Sequence, residues 1–189
     1  MNLSEHFTLD ELLRNSGERS VPDHILVNAK RTAQVLEEVR RQLGDVPILP
    51  TSWYRPPAKN ADTAGSSRTS AHLSGYGVDF NVPGMTTAQV VAILAPHVRK
   101  MGVDQLIDER NHVHLSADPR ARGEVLVEVR EGQYLPWQGA SAPGTPGVPV
   151  IKAAPEPGQY KPGTVLWWLA MLAALIPVVL NFLSKSQGN

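Results

Sequence analysis

Residues 103–131, VDQLIDERNHVHLSADPRARGEVLVEVRE, contain strand-like runs separated by short polar turns. The three runs span residues 103–109, 112–117 and 123–131. The last run has an alternating pattern, with Val125, Val127 and Val129 at every second position. Alternation of this kind is typical of a strand with one face turned toward a core. Because helical patterns precede these runs, we predict an α+β fold with an antiparallel sheet.

Helical patterns lie upstream of these strands. Thr8 and Glu11 have the spacing of a capping box and predict the start of a short helix. A longer helix is predicted from Pro22 to Leu43, ended by Gly44. Its apolar stripe consists of Ile25, Ala29, Leu36, Val39 and Leu43. The remaining predictions upstream of the strands are an extended segment over 46–55, a loop over 56–70 and a helix over 87–100.

Composition excludes several classes of site and partner. The 189 residues include 18 basic and 18 acidic side chains, so no basic surface for nucleic acid is indicated. Cysteine is absent, which excludes disulfides and leaves His and carboxylates as metal ligands. The first residues lack a basic leader followed by an apolar stretch, so we expect no Sec signal peptide.

Four zones are predicted along the chain. They are a globular domain over 1–134, a linker rich in Pro, Gly and Ala over 135–163, a transmembrane anchor over 164–184 and a short polar tail over 185–189. The uncharged run over 165–183 would span roughly 28 Å as a helix, close to the thickness of a bilayer. Pro177 argues against the alternative of a buried core helix, because proline is costly inside a water-soluble helix.

A candidate metal site begins in the segment SAHLSGYGVDF, residues 70–80. His72 and Asp79 are seven positions apart, and two of the residues between them are glycines, Gly75 and Gly77. These glycines allow the backbone to turn so that the two side chains converge. A His–Asp pair alone is more often a surface hydrogen bond than a metal site. The pair therefore needs a further ligand.

The strand-like run at residues 112–117 supplies that ligand. On a strand, His112 and His114 point to one face, while Val113 and Leu115 point to the other and pack in the core. His114 would complete a set of two His and one carboxylate, which leaves a fourth zinc position open, as in catalytic zinc sites. His112 could instead be a surface residue.

Three separated segments resemble the M15 peptidases, the D-alanyl-D-alanine carboxypeptidase group. TSWYRPPAKNADTAGSSRTSAHLSGYGVDF (51–80) resembles their zinc signature, and DQLIDERNHVHLSAD (104–118) resembles their last ligand strand. LSEHFTLDELLRNS (3–16) resembles the start of the phage-type branch. The resemblance implies a small antiparallel sheet with flanking helices, as in the lysostaphin-type peptidases and the hedgehog domain, with Zn²⁺ on the sheet.

The resemblance also implies roles for individual residues. His72, Asp79 and His114 match the zinc ligands. Arg55 matches an arginine that stabilises the oxygen of the scissile carbonyl, although an exposed turn arginine is the alternative. Ser70 matches a serine that contacts the substrate peptide, although it could simply cap a helix or turn.

The general base is left open by the sequence. Many relatives have an acid three residues before the last zinc histidine, where this chain has Asn111. Glu109 matches the glutamate of the phage-type pattern and is the first candidate. His112 stands where relatives usually have Trp, and it forms a His-x-His pair like that of the lysostaphin-type enzymes. Asp108 is a third candidate.

The resemblance implies a zinc peptidase, an endolysin or virion-associated lysin, that hydrolyses peptidoglycan stem peptides. One alternative is a wall-binding module that keeps the metal without catalysis. Another is a structural membrane protein of a virion. Together with the phage-type opening, the apolar run at 165–183 predicts anchoring to a lipid bilayer, either the virion membrane or the host inner membrane.

Overall fold

The structure is a computed structural model that describes residues 1–139. Its α-helices are α1 (Leu9–Leu13), α2 (Asp23–Gln42), α3 (Pro57–Ala61), α4 (Thr87–Leu94) and α5 (Val98–Met101). Two short 3₁₀ helices span Ala71–Ser74 and Ala95–His97. The strands are β1 (Leu49–Ser52), β2 (Gly77–Asn81), β3 (Gln105–Asp108), β4 (Val113–Ser116), β5 (Glu124–Arg130) and β6 (Gln133–Pro136).

The six strands form one sheet in the order β1-β2-β4-β3-β5-β6. The α+β class is therefore confirmed, but β2 and β6 were not among the predicted strands. The prediction of an antiparallel sheet is wrong at one pair, because β3 and β5 run parallel while the other neighbours are antiparallel. The sheet is mixed.

The parallel pair follows from where β4 ends. Ser116 pairs with Gln105, so β4 finishes beside the start of β3. The segment that follows is held at that end, where the backbone N–H of Gly123 donates to Val103 and that of Glu124 donates to Asp104. Because the chain re-enters the sheet beside the start of β3, β5 runs in the same direction as β3.

The hydrophobic core lies on one face of the sheet. Val78 and Phe80 of β2 and Val113 and Leu115 of β4 are fully buried within it. Helix α4 packs on β3 and β4, and α2 contacts α4, α5 and the first 3₁₀ helix. Side chains alternate along a strand, so Asp79 and His114 face the side opposite to this core. The candidate site therefore lies on the other face of the sheet.

Two helical predictions are confirmed. The capping box at Thr8 and Glu11 opens α1. The predicted stripe of α2 is buried at all of its positions, and Leu43 caps the end of the helix before Gly44.

Two other predictions need correction. The single helix expected over residues 87–100 is broken into α4, a 3₁₀ turn and α5. The break lies at Pro96, which has no N–H to continue the helical hydrogen bonds. The loop expected over residues 56–70 contains α3, where Pro57 occupies the first turn and needs no hydrogen-bond partner for its nitrogen.

The predicted boundary at residue 134 falls inside β6, and Trp137 beyond it packs against the core. None of the helices in residues 1–139 has the length and apolar character to cross a bilayer. The predicted anchor over 164–184, the tail over 185–189 and most of the linker over 135–163 lie outside the described residues.

Candidate metal centre and neighbouring acid–base pair

His72 is placed by a tight turn between β1 and β2. It lies in the first 3₁₀ helix, whose N-cap Ser70 accepts a hydrogen bond from the His72 N–H at 3.4 Å. Gly75 ends this helix with φ of 78°, a left-handed conformation that glycine adopts without strain. Gly77 then passes so close that an added Cβ would lie 2.8 Å from the His72 backbone nitrogen. Both glycines thus bring His72 against the start of β2.

Asp79 and His114 are brought together by strand pairing. β2 and β4 are antiparallel neighbours, and Asp79 lies directly opposite His114. His114 Nδ1 is 2.8 Å from Asp79 Oδ1 and 3.2 Å from His72 Nε2. His72 Nε2 is 3.1 Å from the same Asp79 oxygen. Three side chains from three elements therefore converge on one point.

The protonation of this cluster suits metal binding. His72 is fully buried, and its Nδ1 donates to the carbonyl oxygen of Trp53 at 2.6 Å. That bond fixes the tautomer that leaves a lone pair on Nε2. Burial lowers the pKa of His72 and keeps the ring neutral. Burial also raises the pKa of Asp79, but the interactions with the neighbouring His72 and His114 imidazoles outweigh it and hold that pKa well below its ordinary value.

The spacing of these atoms matches a four-coordinate ion. Ligand atoms at about 2.0–2.1 Å from a tetrahedral zinc ion lie roughly 3.3 Å apart. The three separations in this group, 2.8, 3.1 and 3.2 Å, are close to this value. His72, Asp79 and His114 thus form a group that could hold a metal ion.

Arg55 lies beside this group. Its Nη2 donates to Asp79 Oδ2 at 3.2 Å, and its backbone N–H donates to the carbonyl of His72. Only 14% of the Arg55 side chain is exposed, so it is not an exposed turn arginine. Its Nε is buried and has no hydrogen-bond partner within residues 1–139. The bond from Nη2 to Asp79 therefore holds the Arg55 guanidinium beside the metal group.

Glu109 and His112 form a second pair next to the metal group. The chain reverses between β3 and β4, with Arg110 at φ of 62°, and the backbone N–H of Glu109 donates to the carbonyl of His112. Glu109 Oε2 lies 2.8 Å from His112 Nε2, which is 3.8 Å from Asp79 Oδ1. Asp79, Glu109 and His112 are themselves close enough to hold an ion.

The pKa values of this pair shift in opposite directions. The hydrogen bond to Glu109 raises the pKa of His112 against the opposing effect of burial. Burial raises the pKa of Glu109, but the hydrogen bond from His112 and attraction to His114 overcome it and lower the pKa below its ordinary value. An ionised carboxylate within reach of the metal group can accept a proton.

The other sequence candidates have local structural roles. Asp108 Oδ1 accepts from the Arg110 N–H at 3.1 Å and stabilises the turn. Asn111 is exposed within the same turn. Ser70 caps the 3₁₀ helix, which was the alternative to substrate contact.

Two contributors were missed by the sequence analysis. One is the carbonyl of Trp53, because a backbone oxygen has no signature in the sequence. The other is Tyr134 of β6, whose hydroxyl donates to Glu109 Oε1 at 3.2 Å. An alternating run around Tyr134 would have been the available signal for β6, but four residues are too few to reveal it.

A family model described as Peptidase M15 matches residues 5–116. This span includes the three residues of the metal group as well as Arg55, Glu109 and His112. Tyr134 lies beyond it. A search of curated proteins found no match.

Proposed function

The chain belongs to the peptidase M15 family, which implies a metallopeptidase, and on this basis we propose that it is a zinc-dependent peptidase. It would hydrolyse amide bonds of peptidoglycan stem peptides. The observation that carries the proposal is the convergence of His72, Asp79 and His114 within 3.2 Å of one another, next to an ionised carboxylate. Two imidazoles and one carboxylate are a ligand set of catalytic zinc sites, which keep one position open.

His72, Asp79 and His114 would hold the zinc ion. When bound, zinc supplies a Lewis acid that polarises an amide carbonyl and makes an attacking water more acidic. The fit is supported by the neutral Nε2 of His72, which the Trp53 carbonyl orients, and by the ionised state of Asp79.

Glu109 is the residue proposed to move the proton. Its carboxylate takes a proton from the attacking water, and the same proton passes to the nitrogen of the leaving amine as the C–N bond breaks. His112 donates to Glu109 Oε2 and keeps this carboxylate ionised beforehand. His112 as the base itself is the rival assignment, but its Nε2 is already engaged with Glu109 Oε2 at 2.8 Å.

Arg55 is proposed to bind the scissile carbonyl oxygen. Its guanidinium is held beside the metal group by the bond from Nη2 to Asp79, and 14% of the side chain remains exposed. A donor held in place before the reaction stabilises the negative charge that develops on that oxygen. Ser70 is proposed to contact the peptide as well, while its hydroxyl oxygen accepts the capping bond from the His72 N–H.

A second candidate function is a wall-binding module that holds zinc without catalysis. Asn111 favours it, since many relatives have an acid at this position. The Glu109–His112 pair argues against it, because a bonded carboxylate and imidazole beside a metal group serve no evident purpose in binding alone. A structural protein of a virion membrane is a third possibility, and it is compatible with enzymatic activity.

Location is proposed from the sequence alone. The uncharged run over 165–183 would anchor the chain in a bilayer, and the linker would let the domain reach the wall. The phage-type character of residues 3–16 supports a phage lysin, acting from the virion membrane or the host inner membrane. Carbonate extraction of full-length protein from membranes tests the anchor, since release into the supernatant would contradict it.

Digestion of purified peptidoglycan by the zinc-loaded full-length chain tests the activity. Mass spectrometry of the products should show fragments shortened at an amide bond of the stem peptide, and the fragment masses identify the bond. His72→Ala is the matched inactive control. Unchanged peptidoglycan, with stoichiometric zinc bound to the protein and retained binding to the wall, would favour the binding module instead.

A further inference from the structure

The β5–β6 hairpin brings one residue from beyond the family-matched span into the candidate site. Across the sheet, His114 pairs with Ile107, and Ile107 pairs with Leu126. Glu128 lies two residues after Leu126, on the same face of β5, and pairs with Tyr134. Tyr134 therefore lies on the same face of the sheet as the metal group. Ile107 agrees with this placement, since it is buried but does not belong to the core on the opposite face.

Tyr134 and His112 hold opposite oxygens of one carboxylate. The Tyr134 hydroxyl donates to Glu109 Oε1 at 3.2 Å, and His112 Nε2 lies 2.8 Å from Glu109 Oε2. One donor comes from β6 and the other from the residue just before β4. Two donors at fixed positions restrict rotation of the carboxylate about its terminal bond, which is otherwise loosely defined.

We propose that Tyr134 is a positioning residue of this peptidase, whose hydroxyl orients the Glu109 carboxylate for proton transfer and makes β6 part of the active site. This inference rests on the proposed function. It extends the active site from the span matched by the family model, residues 5–116, to residue 134.

The chemistry of Tyr134 suits a permanent donor. Burial, together with the negative charge of Glu109, raises the pKa of its phenol to about 12. The hydroxyl therefore keeps its proton at neutral pH and donates it to the carboxylate. Tyr134 as a whole residue is 39% exposed, so part of its surface remains accessible.

Tyr134→Phe in the full-length chain removes this hydroxyl and keeps the ring. We expect kcat to fall roughly 10-fold, the size expected for a hydrogen bond to a charged group, while KM changes by less than about twofold. Zinc content and calorimetric binding of an uncleavable stem peptide should match the unmodified protein. Leu135→Ala is the matched control, because Leu135 is the next residue of β6 and alternates to the other face.

A double substitution separates positioning from a structural effect. In a Glu109→Gln background, Tyr134→Phe should change kcat by less than about twofold, because the group that it orients is already absent. An undiminished 10-fold loss in that background would overturn the proposal, and so would an unchanged kcat in Tyr134→Phe alone. Either result leaves the proposed function intact as long as Glu109→Gln itself is impaired. Full activity in Glu109→Gln would overturn both the proposal and the assignment of the base.

Discussion

Asp79 in β2 and Asp104 just before β3 are both buried carboxylates whose pKa lies below the ordinary value, but their partners differ in kind. Asp104 is held by guanidinium groups. Arg122 binds it through Nε at 2.8 Å and Nη2 at 2.7 Å, and Arg120 adds a contact at 3.3 Å. Hydrogen bonds from Arg122 lower the pKa of Asp104 against the opposing effect of burial.

The two clusters differ in whether polar atoms next to the carboxylate remain available to a further ligand. Arginine has only donors, so the Asp104 cluster is saturated, and its guanidinium groups extend into solvent. The two imidazoles at Asp79 each direct one ring nitrogen at the same point as the carboxylate, and the Nε of Arg55 is unpaired within residues 1–139. A lowered carboxylate pKa therefore does not identify a functional site in this molecule. The identity of the partners does.

The largest expected difference between the two clusters is in zinc binding. His72→Ala should weaken zinc binding by at least about 100-fold, more than the loss typical of residues that only support a ligand. Asp104→Asn should retain one zinc per chain. Atomic absorption after dialysis measures both, and full metal content in His72→Ala would show that the metal group is assigned wrongly.

A third carboxylate, Glu109, is proposed to accept a proton from the attacking water rather than to bind the metal ion. Glu109→Gln should lower kcat by about 100-fold or more, the usual contribution of a general base, with zinc still bound. Steady-state hydrolysis of a stem peptide measures this effect. Comparable activity in Glu109→Gln, combined with loss in His112→Ala, would transfer the role to His112.

The Asp104 cluster should affect stability instead. Asp104→Asn leaves Arg120 and Arg122 able to return to water but removes their charged acceptor, so the free energy of unfolding should fall by about 1–3 kcal/mol. Urea denaturation measures the change, and kcat should remain within about twofold of the unmodified protein. A large loss of activity at unchanged stability would mean that Asp104 belongs to the reaction machinery.

The smallest expected effect is the pH dependence of that stability difference. The pKa of Asp104 is lower in the folded chain than its unfolded value of about 3.9, so its charge stabilises the fold above that pH. The difference between the unmodified protein and Asp104→Asn should be constant above about pH 5 and shrink as pH falls below about 4 through the folded pKa. Urea titrations at several pH values test this, and a difference that grows on acidification would contradict it.

Local patterns predicted local structure well. Thr8 with Glu11 predicted the start of α1, the apolar spacing predicted α2, and the His–Asp spacing with His114 predicted the group that could hold a metal ion. Pro96 carried a signal for the break after α4 that the apolar periodicity obscured.

Features that depend on distant contacts were not predictable from such patterns. The direction of β5 depends on backbone hydrogen bonds to Val103 and Asp104, which leave no periodic trace in the sequence. Orientation of His72 depends on a backbone carbonyl, and the contact of Tyr134 with Glu109 depends on the register of β6. The side chains of a site are recognisable in a sequence, whereas the groups that orient them depend on tertiary structure.

The order of the ligands along the chain has a consequence for folding. His72 and Asp79 are seven residues apart and can meet by closing a short loop, whereas His114 lies 35 residues beyond Asp79. The third ligand therefore arrives only when β4 pairs with β2 in the middle of the sheet. A partly folded chain without that pairing has only two of the three ligands. Tight binding of a metal ion is therefore expected only after β2 and β4 have paired.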